Sequence, residues 1–371
     1  MDFLRNLSLD RTMQMCNNVT GYCNRLHYCT QIMTTKSHSV TIRHVAQKAG
    51  VSIATVSRFL NHTAPISEEV AERLEKVMTE LRYVPHAAAQ HLASRKTRVV
   101  GLLLNNLQND FFVPLLNGIE SVVRKHNYNL VIATYHSSSR DMPPPIGPHN
   151  TDGMLVFSDG LSDDDLISLH ARKFPMVLVH RTPPDSLKIP SVTVENKKIT
   201  FELIEHLIKV HGRKHIMLLR GPVHQEDSYW RETGYKAALK ANDIPFDERL
   251  VLNGDFERNT AYEALNEFIA NNKQVPFDAI FTGDDDAAIG VLRALHENGY
   301  RVPEDVSIIG FDDLGFSAFL SPPLTTVSAP TEAVGRIATE QLFSLFDKQS
   351  PGDVTLLSTE LITRRSCGCN T

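Results

Sequence analysis

Cysteine is missing from the whole middle of this chain. Of five cysteines in 371 residues, Cys16, Cys23 and Cys29 lie near the start and Cys367 and Cys369 near the end. A disulfide framework across the core is thereby excluded, and this usage fits a reducing compartment. Long apolar runs are also missing. A membrane helix needs about 18 or more apolar residues in succession, and the run from Val99 to Leu104 is only strand-sized. The first ten residues lack the charged-then-apolar layout of a secretory signal. Neither secretion nor membrane insertion is expected, and a cytoplasmic location is. No Gly-x-Gly-x-x-Gly follows the first strand, which removes the dinucleotide fingerprint. No pairing of nucleophile and base suggests catalysis, so an enzyme is not expected. Cys367-Gly368-Cys369 is too short to hold a metal alone. It reads as free thiols on a surface tail, and neither a metal nor a cofactor is expected.

What is present is the balance of an ordinary globular protein, 42% hydrophobic and 22% charged, with length for two or three domains. The net charge of −5 hides an asymmetry. Residues 36–98 carry ten Lys and Arg against five Glu, or +5, and residues 1–35 carry +1, which leaves −11 for residues 99–371. A small basic module on a large acidic one suits nucleic-acid binding.

Residues 1–35 show no periodicity and read as a disordered extension; Met33 is a second candidate start. Residues 36–84 read as a headpiece of three short helices. Thr41 caps the first, with Ile42, Val45, Ala46 and Ala49 on one face, and Gly50 ends it. Ser52 caps the second. Ser67 starts the third, whose stripe is Val70, Leu74, Val77, Met78 and Leu81. Residues 85–98 read as a linker that folds on contact. From residue 99, strands at 99–105, 130–134, 153–157, 176–180, 215–220, 279–282 and 306–311 alternate with helices. The expected class is α/β, with parallel sheets covered by helices.

A helix ending at Gly50, a tight turn and a new helix form a helix-turn-helix. Its second helix offers Ser52, Ile53, Ala54, Thr55, Ser57 and Arg58 early. Short side chains let such a helix enter a major groove about 12 Å wide. Hydroxyls suit phosphates, Arg58 suits a bidentate pair with guanine, and Ile53 and Ala54 suit thymine methyls.

The segment Val40-Thr41-Ile42-Arg43-His44-Val45-Ala46-Gln47-Lys48-Ala49-Gly50-Val51-Ser52-Ile53-Ala54-Thr55-Val56-Ser57-Arg58-Phe59-Leu60-Asn61 resembles the headpiece of the lactose and galactose repressor (LacI/GalR) family. The resemblance continues through Tyr83-Val84-Pro85, residues 87–92, Asn109-Asp110-Phe111-Phe112, Thr282-Gly283-Asp284-Asp285, residues 301–313 and Arg365-Ser366-Cys367-Gly368. It implies a homodimeric or tetrameric repressor on double-stranded operator DNA, with a two-lobed, periplasmic-binding-protein-like domain closing on a small effector, usually a sugar or nucleoside-like molecule. DNA contacts would come from Thr41, Ser52, Ile53, Ala54, Thr55, Ser57, Arg58 and Asn61. A hinge helix over 85–98 would add Ala89 for close approach and Leu92 as a wedge in the minor groove. The effector would meet Asn109, Phe111, Phe112, Glu195, Arg231, Asp284, Asp285 and Asp312, with one of the two phenylalanines packing and the other lining the cleft. Lobe one is expected over about 99–211 and 330–352, and lobe two over about 212–329 and 353–371. Asp284, Asp285 and Asp286 start a helix and diverge, so they do not read as a metal site. A solute-binding or sensor protein of the same fold is the alternative.

Three departures stand out. His44 replaces the family's usual aspartate, Asp110 replaces a proline, and the proline-rich stretch 142–150 lies where the family carries a helix. Prolines cannot sustain one, so a loop is expected there.

Overall fold

The computed structural model describes residues 40–61, 64–83, 96–135, 143–272, 276–349 and 352–370. It divides into two compact units, residues 1–94 and 95–371. Residues 1–39, which hold the expected extension, and 84–95, which hold Ala89, Leu92 and most of the expected hinge, lie outside the described residues.

The first unit contains α1 (Ile42–Ala49), α2 (Ile53–Asn61) and α3 (Glu68–Glu80). Val45, Ala46, Ala49, Val56, Leu74 and Val77 form its small core, edged by Ile42, Val70, Met78 and Leu81. Gly50 ends α1 in the left-handed region, at φ 67, a conformation that glycine adopts without a Cβ penalty. His44 takes over part of the capping, because its Nδ1 accepts from the Thr41 N–H at 3.1 Å. The imidazole thus fills the place of a carboxylate in a capping box.

The second unit is built on two parallel sheets. The first includes β1 (Val99–Leu104), β2 (Asn129–Thr134), β3 (Gly153–Phe157), β4 (Met176–Val179), β5 (Ser191–Val194) and β11 (Val354–Leu357), in the order β11-β5-β4-β3-β1-β2. Helices α4 (Phe112–Lys125) and α10 (Thr331–Phe346) cover one face through Leu115, Ile119, Val334 and Leu342. Helix α5 (Asp163–Ala171) covers the other through Leu166.

The second sheet runs β7-β6-β8-β9, from β6 (Ile216–Arg220), β7 (Val251–Asn253), β8 (Ala279–Phe281) and β9 (Ser307–Ile309). Helices α6 (Lys197–His211) and α7 (Glu226–Ala241) pack on one face through Leu203, Leu207 and Tyr235. Helices α8 (Arg258–Asn271) and α9 (Asp285–Glu297) pack on the other through Leu265 and Val291. A small antiparallel pair, β10 (Thr326–Ser328) with β12 (Glu360–Ile362), completes the order.

Two expected boundaries move. Helix α6 was expected in lobe one, but Leu203, Ile204 and Leu207 pack with Ile216 and Leu218 of the second sheet. Residues 353–371 were expected in lobe two; Val354–Leu357 instead pairs with β5 in the first sheet, whereas Leu361, Cys367 and Cys369 do pack with the second. Residues 143–150 form turns and no helix. Ile146 is nonetheless buried there, packing with Leu103 and Met154, while Val131 and Ile132 of edge strand β2 stay exposed.

Candidate functional site

On the first unit the candidate surface is the start of α2. Ser52 caps the helix: its Oγ accepts from the Thr55 N–H at 3.1 Å and lies 2.9 Å from Thr55 Oγ1. Thr41, Ser52, Ile53, Ala54 and Arg58 are exposed, whereas Thr55 and Ser57 are half-buried. Ile53 is 45% exposed although apolar. Val56 faces inward and anchors the helix. An exposed apolar residue beside a core anchor gives α2 an outward face that its own unit leaves uncovered. The Asn61 backbone ends α2, and its side chain lies outside the described residues.

In the second unit, a cavity of 460 Å³ opens where the C-terminal ends of both parallel sheets meet, the position at which open α/β folds gather ligands. Asn109, Phe111, Phe112, Arg231, Asp284 and Asp312 all line it. Phe111 and Phe112 meet edge to face at 5.5 Å and are joined by Phe157. Both are largely buried and both reach the wall, so the expected division between a packing ring and a lining ring does not occur.

Arg231, only 4% exposed, holds the floor together. Its Nε donates to Asn196 Oδ1 at 2.8 Å and its Nη1 to the Gly283 carbonyl at 2.7 Å. Asp312 Oδ1 lies 3.5 Å from Nη2. The guanidinium lies 3.6 Å from the Phe311 ring centre and 5.2 Å from that of Phe256, two cation–π contacts in a desolvated setting. Gly221 makes room for Phe256, since a Cβ at 221 would sit 2.1 Å from that ring. Asn196 Nδ2 donates to Asp227 Oδ1 at 2.7 Å, and His180 Nδ1 lies 2.8 Å from Asp227 Oδ2.

The carboxylates of this floor differ in electrostatics. Burial, and then the negative charge of Asp312, hold Asp284 well above the usual carboxylate range. Burial raises Asp312 too, against the pull of Arg231. Burial also pushes Asp227 up, but His180 and Arg231 more than offset it and leave it low. Several backbones here occupy the left-handed region: Asp312 at φ 105, Phe256 at 57, Asp255 at 52 and His180 at 56. Such strain persists only where the surroundings over-determine it, and it gathers at ligand sites.

Two expected cleft residues lie elsewhere. Asp285 is fully buried and turned into the core, where it accepts from Leu314 N, Ser317 Oγ and Thr326 Oγ1 at 2.9, 2.6 and 2.6 Å. It is a structural tie because the helix start turns successive side chains in different directions: Asp284 accepts from Ala287 N and Asp286 pairs with Arg258. Glu195 accepts from Lys198 N at the start of α6, outside the cavity lining, and its neighbour Asn196 joins the network instead.

Sequence reading missed Asp227, His180, Phe256 and Arg258. The acidic pair Glu226-Asp227 is a helix-start signal that would have moved α7 forward from 229. His180 and Phe256 carry no such signal, because their placement depends on positive φ angles.

Residues 204–367 match a periplasmic binding protein-like domain, and residues 41–86 match the bacterial regulatory proteins, lacI family. The HTH-type transcriptional regulator RegA of Clostridium acetobutylicum is 31% identical over 335 residues, covering 89% of this chain and 99% of its own. The HTH-type transcriptional repressor PurR of Vibrio atlanticus is 32% identical over 330 residues, covering 87% and 97%. A solved structure of the Lac repressor dimer bound to operator and the anti-inducer ONPF is similar, with a TM-score of 0.74 and 26% identity, covering 88% of this chain and 99% of that one. With a helix-turn-helix unit, a two-sheet unit and relatives matched over nearly their full length, the chain belongs to the lacI family of bacterial regulatory proteins.

Proposed function

We propose that this lacI-family transcriptional regulator is a cytoplasmic, non-enzymatic repressor that binds operator DNA as a homodimer and is controlled by a neutral polyhydroxyl ligand, a sugar or close relative, in the 460 Å³ cavity. One observation carries the ligand class. The lining sets Asp227, Asp255, Glu257, Asp284, Asp286 and Asp312 against only two cations, Arg231 and Arg258, and each of those already faces a carboxylate. An anionic ligand would find neither cation of this lining free to pair with it. Sugar hydroxyls would exchange hydrogen bonds with the carboxyl groups, while the ring's apolar face would pack on Phe111, Phe112 or Phe157. The ligand would act on DNA binding only through unequal affinity for two arrangements of the protein.

A thermal-shift screen of neutral sugars, sugar phosphates and nucleosides tests the class, because a ligand selective for the native state raises the melting temperature by mass action. Neutral sugars are expected to raise it and their phosphates to leave it unchanged. A shift confined to phosphorylated compounds or nucleosides would overturn this reading. A gel shift on DNA upstream of the protein's own gene separates a regulator from a sensor of the same fold, which would bind the sugar and leave DNA alone.

A further inference from the structure

The C-terminal Cys367-Gly368-Cys369 segment does not lie free on the surface. Cys367 is fully buried in the second lobe's core and Cys369 packs at its edge. Both thiols meet the end of α6, which brings His206 and His211 to the same point. All four potential ligand atoms lie within 4.8 Å of one another.

We propose that His206, His211, Cys367 and Cys369 form a structural zinc site. A tetrahedral zinc with Zn–N of about 2.0–2.1 Å and Zn–S of about 2.3 Å has ligand-to-ligand edges of roughly 3.3 Å for N–N and 3.6 Å for N–S. Here His206 Nε2 and His211 Nε2 are 3.2 Å apart. Cys367 Sγ is 3.6 Å from His206 Nε2, and Cys369 Sγ is 3.5 Å from both Nε2 atoms. Four of the six edges therefore already have the dimensions of an S2N2 tetrahedron, and the other two are no longer than 4.8 Å. Four protein ligands leave no open position, which is the mark of a structural rather than a catalytic site. Two thiols lose their protons on binding, so the dication is neutralised within the cluster.

The surroundings support the same reading. Thr325 Oγ1 lies 3.1 Å from Cys367 Sγ and is oriented to donate to it, a bond of the kind that tunes metal-bound thiolates. Ser307 Oγ donates to the Cys367 carbonyl at 2.7 Å and fixes that turn. Gly368, at φ 113, lets both cysteines turn towards one point, and a Cβ there would lie 3.0 Å from His211 Nδ1. The site would staple the chain's last turn to the far end of α6. Fifteen residues of helix set that end about 22 Å from Asn196 at the cleft, so the metal would hold the lobe together without touching the effector.

Full-length protein purified under reducing conditions from zinc-supplemented cells is expected to hold about one zinc per chain by elemental analysis. After chelation, cobalt should restore the site with the intense visible bands of tetrahedral thiolate coordination. Added zinc should raise the melting temperature of the stripped protein. Cys369→Ser and His211→Gln, each checked for native circular dichroism, should lose the metal, the cobalt bands and the zinc-dependent melting shift. The triple variant Cys16→Ser, Cys23→Ser, Cys29→Ser should keep all three. Trace metal only, weak octahedral cobalt bands, a Cys367–Cys369 disulfide in place of metal, or metal lost from the triple variant and kept by Cys369→Ser would each overturn the proposal.

Discussion

On α2, the exposed residues Ser52, Ile53, Ala54 and Arg58 fall within seven consecutive positions. In the cleft, Asn196, Asp227, Arg231, Gly283 and Asp312 come from distant parts of the chain, and each holds another in place. The first surface is local and open; the second is assembled by the fold and largely buried. Changing a residue of α2 therefore removes something from a partner, whereas changing one of the cleft floor also removes something from the protein.

Arg231→Ala should show that difference most strongly. It would strand buried Asp312 and leave the Asn196 and Gly283 oxygens without their donor, at a cost of about 3–5 kcal/mol. Urea unfolding of the second unit should register that loss, and effector binding should disappear with it. The DNA-reading surface, in a separate unit, keeps its own contacts. A variant with wild-type stability would mean that Arg231 is not the tie described.

Asp285→Ala should come next, at about 1–3 kcal/mol, because it strands buried donors. This residue also gives the second unit a pH dependence. Burial first, and then the charge of Asp312, push its carboxyl up to about 7 from an ordinary 3.8. The folded state thus holds a proton that the unfolded chain gives up. That contribution is complete below about pH 4 and is lost as pH rises through about 7. Denaturation midpoints measured from pH 5 to 8 should fall in the wild type and fall less in Asp285→Asn.

Changes at Ile53, Ala54 and Arg58 on the open surface should be confined to DNA binding and leave the fold intact. Arg58→Ala should cost about 1–3 kcal/mol of operator affinity and relax preference at one base pair per half-site. Polar replacement of Ile53 and Ala54 should change the operator consensus recovered by selection while leaving melting unchanged. A uniform loss across sequences would reassign Arg58 to phosphate. Smallest of all, His44→Ala should cost the first unit about 0.5–1 kcal/mol, as loss of a helix cap does, read by thermal melting.

The same contrast decides what was legible in the sequence. The three headpiece helices, their caps and their core stripe follow from local spacing, and α1, α2 and α3 appear where that spacing puts them. Long helices and apolar strands of the second unit were legible for the same reason. Strands β5, β7, β10, β11 and β12 were missed: each has three or four residues and exists through its neighbour, as β11 does through β5. In the cleft, Arg231 and Asp312 could be placed by resemblance. Asp285 and Glu195 could not be turned the right way, since a one-residue step on a helix start decides between cavity and core. The Cys367 cluster was invisible, because its two histidines lie more than 150 positions away and only the packing of α6 onto the second sheet brings them in.

The division between a DNA-reading surface and an effector-reading cavity is tested most directly by operator titration of wild type and Asn109→Ala. Each is titrated with and without the neutral sugar that gives the largest thermal shift. Asn109 lines the cavity, and its buried Oδ1 accepts no hydrogen bond among the described residues, so its loss breaks no bond through that atom. Without sugar the two proteins should bind operator with the same midpoint. With sugar, the variant should need about tenfold more for half its response, equivalent to about 1.4 kcal/mol. Superimposable sugar responses, or an operator midpoint that moves before any sugar is added, would contradict the division.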